Sequence, residues 1–301
     1  MTTIANQAPK RKRIAYAMAN LAAIAAAMFA LAACSKKTRH VTVEDLQKSG
    51  EVKIGFANES PYAYVDNETG RLTGEAPEIA RAVMEKLGVD DVDGVLTEFG
   101  SLVPGLEAGR FDLIAAGMYV TPERCKRVAF SEPTYCIPEA FAVAAGNPLG
   151  LHSYEDVANN GSAKLGVVRG TVEHGYAEAM GVPSSRIVIF PDAPSALAGV
   201  QADRVDAYAG TSLTIDDLLG KADDAALERA APFRGPVVDG KPAMGCGAFA
   251  LRKGDTELLA AINAELDALI GSDEHLALVA PFGFSRDTVP ADITTAQLCA
   301  P

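Results

Sequence analysis

One arginine is placed where it could do chemistry. The stretch GMYVTPERC, Gly117 to Cys125, follows directly on the apolar run FDLIAA. Such a run reads as a buried strand, so the residues after it form an exposed loop and a helix start, with Pro122 suited to the first turn. Arg124 would project from that helix start. Its guanidinium is a planar, two-pronged donor that matches a carboxylate, so the chemistry is an anion clamp. A lone surface arginine is the ordinary alternative, and the neighbours weigh against it. Tyr62 follows Pro61 after the first strand, Phe99 ends the strand VLTEF, and Tyr119 ends FDLIAAGMY. Each aromatic alone could be core, but all three stand at the carboxyl ends of predicted strands. Aromatic faces attract delocalised, weakly hydrated cations, each contact worth about 0.5–2 kcal/mol. Glu59 is an acceptor beside them. Together these residues suit a small molecule with a carboxylate at one end and a soft cation at the other.

Catalysis has weaker support. A general acid would have to be Glu59 or Glu98. The four histidines, His40, His152, His174 and His275, are scattered, and no CxxC pair is present. No Ser-His-Asp, Cys-His or metal constellation can be assembled, so binding without turnover is expected, with no cofactor and no metal.

The elements that must hold these residues alternate. VKIGFA has a strand signal, and GEAPEIARAVMEKLG carries Ile79, Ala80, Val83, Met84 and Leu87 along one helical stripe that stops at Gly88. Alternating βα units predict an α/β fold with covered sheets. A weak internal repeat adds a second layer. SLVPGLEAGRFDLIAAG from Ser101 and SALAGVQADRVDAYAG from Ser195 both run helix, Arg-x-Asp, buried strand, glycine. Two such units imply two lobes, and in open α/β sheets ligands sit beyond the carboxyl ends of strands. The loops after Ala116 and Ala209 should therefore face each other across a cleft. TYCIPEAFAVAAGNP and AMGCGAFALRKGD read as two strands crossing between lobes. The first lobe is then discontinuous, 50–138 plus 250–301, with 139–249 as the second lobe and the crossing strands as a hinge.

The N-terminus sets the compartment. KRKR, Lys10 to Arg13, precedes an uncharged alanine-rich run that ends in LAAC at Cys34. This is a secretory signal over 1–33. Its end resembles the lipobox of bacterial lipoproteins, which implies cleavage before Cys34, a lipid on its thiol and a tether over 34–49. Removing the four basic residues moves the formal charge from −12 to about −16. No basic patch survives, so nucleic acid is not an expected partner. The remaining cysteines, Cys125, Cys136, Cys246 and Cys299, allow three pairings, and one or two disulfides are expected outside the cytoplasm.

GEAPEIA, TEFGSLVPGLEAGRFDLIAAGMYVTPERC, LGVVRGT and GAFALRKGD resemble the family 3 extracellular solute-binding proteins of bacterial ABC importers. ANESPYAY, GEAPEI and EFGSL most resemble the ectoine/hydroxyectoine-binding branch of that family. The resemblance implies a type II periplasmic-binding-protein fold, each lobe a mixed sheet flanked by helices, and a monomer that meets a membrane permease. It implies that Arg124 clamps a ligand carboxylate, that Gly117 and Tyr119 line the ligand, and that Gly170 and Thr171 present backbone N–H groups to the carboxylate at a helix start. It also exposes a departure. In binders of α-amino acids an aspartate after the second-lobe strand holds the ammonium, and here that place is Thr211. A buried ammonium needs a counter-charge, so the departure favours ectoine-like zwitterions over a polar amino acid. A cyclic-acid dehydratase on the same fold is the remaining alternative.

Overall fold

The computed structural model describes residues 40–238 and 240–300. The signal segment and Cys34 lie outside the described residues. From His40 onward, the segment expected as a tether is part of the packed body. Thr42 caps the helix Val43–Ser49 in a reciprocal box with Asp45, Leu46 is buried, and the Val41 N–H donates to Asp255 Oδ1 at 3.0 Å.

Two five-stranded sheets are built to one plan. The first runs Asp91–Leu96, Glu51–Phe56, Leu113–Ile114, Ala250–Arg252, Val128–Phe130. The second runs Ile187–Phe190, Leu165–Val168, Ala207–Thr211, Glu139–Ala144, Leu227–Arg229. In each, the first three strands are parallel and the fourth is antiparallel to both its neighbours. The fourth strand is in both cases the one that has just crossed between lobes. Helices cover the sheets. The stripe Ile79, Ala80, Val83 and Met84 is buried with Val52, Ile54 and Leu113 on one side of the first sheet, while Leu102, Val103 and Leu106 pack with Ile114 and Ala116 in a separate cluster. This is the arrangement α/β alternation demands.

The repeat has a physical basis. Asp112 Oδ2 accepts from the Lys53 N–H at 3.0 Å, and Asp206 Oδ2 accepts from the Lys164 N–H at 2.7 Å. Each aspartate of the Arg-x-Asp turns thus ties its own strand to the start of the parallel neighbour, once in each lobe.

The crossing segments lie side by side. Tyr135–Ile137 pairs antiparallel with Gly245–Gly247, and Cys136 stands opposite Cys246 in register and is disulfide-bonded to it. A second disulfide, Cys125–Cys299, joins the end of the short helix carrying Arg124 to the C-terminal segment.

Candidate functional site

The site forms where the loops of the two sheets meet. Glu59, Tyr62, Phe99, Gly117, Tyr119, Arg124, Thr171 and Thr211 line one cavity, joined by Val172 and Glu173. Part of it is open to solvent. Glu98, the other acid considered for proton transfer, is exposed and does not line it.

Arg124 is fixed by its helix. Thr121 caps that helix, its hydroxyl accepting the Arg124 N–H at 3.2 Å, and Pro122 supplies the first-turn φ. The guanidinium donates from Nη1 to the Tyr119 carbonyl at 2.7 Å and from Nη2 to the Gly170 carbonyl at 2.9 Å. It also lies over the Phe99 ring, 5.5 Å from the centroid. The Phe99 face therefore serves the clamp, a role different from the cation wall expected of it. No carboxylate forms an ion pair with Arg124 among the described residues. Gly170 sits outside the cavity lining and contributes through this carbonyl and through its missing side chain. Its φ is +82°, and a Cβ there would meet Gly100 Cα at 2.6 Å. Gly100 and Gly170 belong to opposite lobes, so the two backbones touch.

Tyr62 and Thr211 close the other side. The Tyr62 hydroxyl donates to Thr211 Oγ1 at 2.7 Å, Thr211 donates to Thr214 Oγ1 at 3.0 Å, and Thr214 donates to Glu59 Oε1 at 3.0 Å. This chain leaves the first lobe, passes through two threonines of the second and returns to the first. Thr211 Oγ1 also accepts the Thr214 N–H as helix cap. A threonine hydroxyl has one proton and two lone pairs, so Thr211 has spent its whole hydrogen-bonding capacity. Tyr62 packs against Gly117, whose φ is +64° and whose Cβ would stand 2.5 Å from the ring. Tyr135 donates its hydroxyl to the Gly117 carbonyl at 2.8 Å from behind.

Three further acids are gathered here. Glu173 lines the cavity in the first turn of the helix Val172–Ala179. Glu139 is register partner of Thr211 on the neighbouring strand, buried and without a hydrogen-bond partner of ordinary geometry on either oxygen. Glu75 is buried behind Tyr62's loop and accepts from the Thr134 hydroxyl at 2.6 Å. Burial pushes all of them upward. Glu59 rises to about 7, from burial and then the Glu173 charge, against the Thr214 hydrogen bond. Glu75 rises to about 8 from burial. Glu139 rises well above the carboxylate range, from burial first and then from Glu173 beside it. Glu173 also rises with burial, opposed by Thr171, its own helix-start N–H and the Arg124 charge. Two adjacent buried carboxyls resist double ionisation, and Glu139 is the one that keeps its proton.

The sequence reading missed Glu139, Val172 and Glu173. An acid in a first turn is what a helix dipole favours anywhere on a surface, so Glu173 carried no distinguishing signal. Glu139 opens a strand whose inward face depends on register with Ala207–Thr211.

With this geometry in place, comparison with known proteins gives the family. Residues 52–284 match the model for bacterial extracellular solute-binding proteins, family 3. A probable amino-acid ABC transporter periplasmic-binding protein of Sinorhizobium fredii is 38% identical over 284 residues, covering 93% of each chain. The L-arginine-binding protein of Pseudomonas aeruginosa is 30% identical over 226 residues, covering 74% of this chain and 84% of its own. A crystal structure described as EhuB in complex with hydroxyectoine is 41% identical with a TM-score of 0.79, covering 86% of this chain and 97% of the other. The chain belongs to family 3 of the bacterial extracellular solute-binding proteins. It is a solute-binding protein of an ABC importer, working outside the cytoplasm, with the type II two-lobe fold. Among the described residues, no helix is long and apolar enough to cross a membrane.

Proposed function

We propose that this importer component captures ectoine or hydroxyectoine, ring zwitterions with a carboxylate and a delocalised amidinium, and releases them unchanged to its permease. The observation that carries the reading is Thr211. Where an α-amino-acid binder places an aspartate, this cavity has a hydroxyl already saturated by Tyr62 and Thr214. The ligand carboxylate goes to Arg124 and the loop that leads into the helix Val172–Ala179, whose Thr171 makes no side-chain cap bond. The cation goes among Tyr62, Tyr119 and the acids. The similarity to a protein solved with hydroxyectoine supports the same reading. The protein works as a monomer held at the membrane by a lipid on Cys34.

One observation favours a second ligand. Glu59 and Glu173 place two acids on the cavity wall, a pair that could hold a guanidinium, and a relative is named for L-arginine. Calorimetric competition among ectoine, hydroxyectoine, glycine betaine, arginine and glutamine separates the two. Ectoines should bind tightest; tight arginine binding with ectoine inert would overturn the assignment. Mass spectrometry of the solute recovered after incubation should show no new product, and turnover would turn the protein into an enzyme with Glu59 as its general acid.

A further inference from the structure

We propose that Glu173 supplies the negative charge that recognises the ligand's cationic group, in place of the carboxylate missing at Thr211. The proposal deepens the zwitterion reading and rests on it.

Elimination among the groups at the cavity leads to Glu173. Thr211 has no free hydrogen-bonding capacity. Glu59 already spends one oxygen on Thr214. Glu139 does not line the cavity, although its register pairing with Thr211 puts it on the same sheet face. Glu173 does line it, is 4% exposed, and has an Oε2 without a hydrogen-bond partner of ordinary geometry. A buried carboxylate oxygen without a donor is costly, and a ligand N–H is what would satisfy it. The Tyr119 hydroxyl is in the same condition, buried at the cavity wall with no partner. Two unsatisfied polar groups on opposite lobes mark the place where a ligand must offer polar atoms. The second lobe thus takes its acid from a different element. The charge comes from the first turn of the Val172–Ala179 helix, while the strand end at Thr211 is given to closing the lobes. Glu139, protonated beneath, lets Glu173 carry the charge, because two ionised carboxylates at that depth would repel.

The test compares two cyclic carboxylates of similar size: ectoine, which carries the ring cation, and 5-oxoproline, whose ring amide is neutral. The parent should bind ectoine and discriminate against 5-oxoproline. Glu173→Gln should lower ectoine affinity at least tenfold and narrow the preference for ectoine over 5-oxoproline by a similar factor, a change that mere loosening of the site would not produce. Glu173→Asp withdraws the charge by one methylene and should lose at least threefold; it also serves if the glutamine variant does not fold, as judged by circular dichroism. A folded variant with parental ectoine affinity and selectivity overturns the proposal. Tighter ectoine binding by Glu173→Gln also overturns it, since the carboxylate would then be a competitor for Arg124. If the parent ignores ectoine and binds arginine, the ligand reading fails. A tenfold loss of arginine in Glu173→Gln would then still support the acid's role, and no loss would end it.

Discussion

The Tyr62 hydroxyl donates to Thr211 Oγ1 across the cleft at 2.7 Å, tying the loop of the first lobe to the strand end of the second. The bond is buried, and it is the first step of the chain that ends on Glu59. An aspartate at 211 would accept from Tyr62 but could not donate onward to Thr214. Threonine both accepts and donates, which gives the relay its direction. Tyr62→Phe keeps the ring on Gly117 and removes this one donor. A neutral hydrogen bond contributes about 0.5–1.5 kcal/mol, so ligand affinity should fall roughly three- to tenfold. Calorimetry checks the affinity. Small-angle scattering should show the liganded variant less completely closed than the parent, and unchanged affinity in Tyr62→Phe would remove the relay from closure.

Arg124 binds two carbonyls and stacks on Phe99 without a carboxylate in contact. A ligand carboxylate would give this cation its counter-charge. Arg124→Ala should cost about 2–5 kcal/mol of binding and leave the fold intact, since the guanidinium lies outside the apolar clusters. Arg124→Lys should also weaken binding clearly, because an ammonium cannot span two acceptors and stack at once. Titration of both variants with ectoine, alongside their melting curves, decides this; near-parental affinity in Arg124→Ala would take the residue out of the site.

What the sequence made legible is what local pattern controls. Arg124, Tyr62 and Tyr119 were found because each sits a fixed few residues past an apolar strand. The two-lobe plan was visible because the Arg-x-Asp turns repeat, and Asp112 and Asp206 prove to make the same backbone tie. The missing parts depend on distant chain. Glu139 matters through its register with Thr211, and Glu173 through the burial that lobe contact imposes. Thr211 was read as the place where the usual aspartate is missing; its cap bond to Thr214 is local, but its bond to Tyr62 exists only once the lobes meet. Phe99 was read as a wall for a ligand cation, yet the cation over it belongs to the protein.

The acids make binding depend on pH. Glu59 titrates near 7, raised by burial and then by Glu173, with the Thr214 hydroxyl opposing. Glu173 and Glu139 are raised as well, Arg124 working against the rise at Glu173. A cationic group needs Glu59 and Glu173 ionised, while Glu139 keeps its proton. Above pH 7 Glu59 is charged and binding is strong; as pH falls through 7 it takes up a proton and affinity declines, by up to about tenfold per pH unit for each proton linked to release. Glu59→Gln should bind ectoine more weakly at pH 8 and lose part of the slope between pH 6 and 8. Calorimetric titration at several pH values measures both, and a slope identical to the parent's would show that Glu59 is not the titrating group.

Glu75 sets a stability trend of its own. It is 1% exposed, its carboxyl lies near 8 against an ordinary 4.5, and Thr134 is the single donor it meets. Below pH 4.5 the folded and unfolded chains both hold this proton, and the group contributes no pH dependence. Between 4.5 and 8 the unfolded chain gives the proton up while the folded chain keeps it. Stability therefore falls as pH rises through that window, by at most about 1.4 kcal/mol per unit. Above 8 the folded form also ionises and the loss levels off. Glu75→Gln reproduces the protonated shape and keeps an acceptor for the Thr134 hydroxyl, but has no proton to lose. The variant should melt close to the parent at pH 5 and progressively higher than the parent toward pH 8. Thermal unfolding of ligand-free protein across this range tests the point; parallel curves for the two proteins would mean that Glu75 is ionised in the folded state.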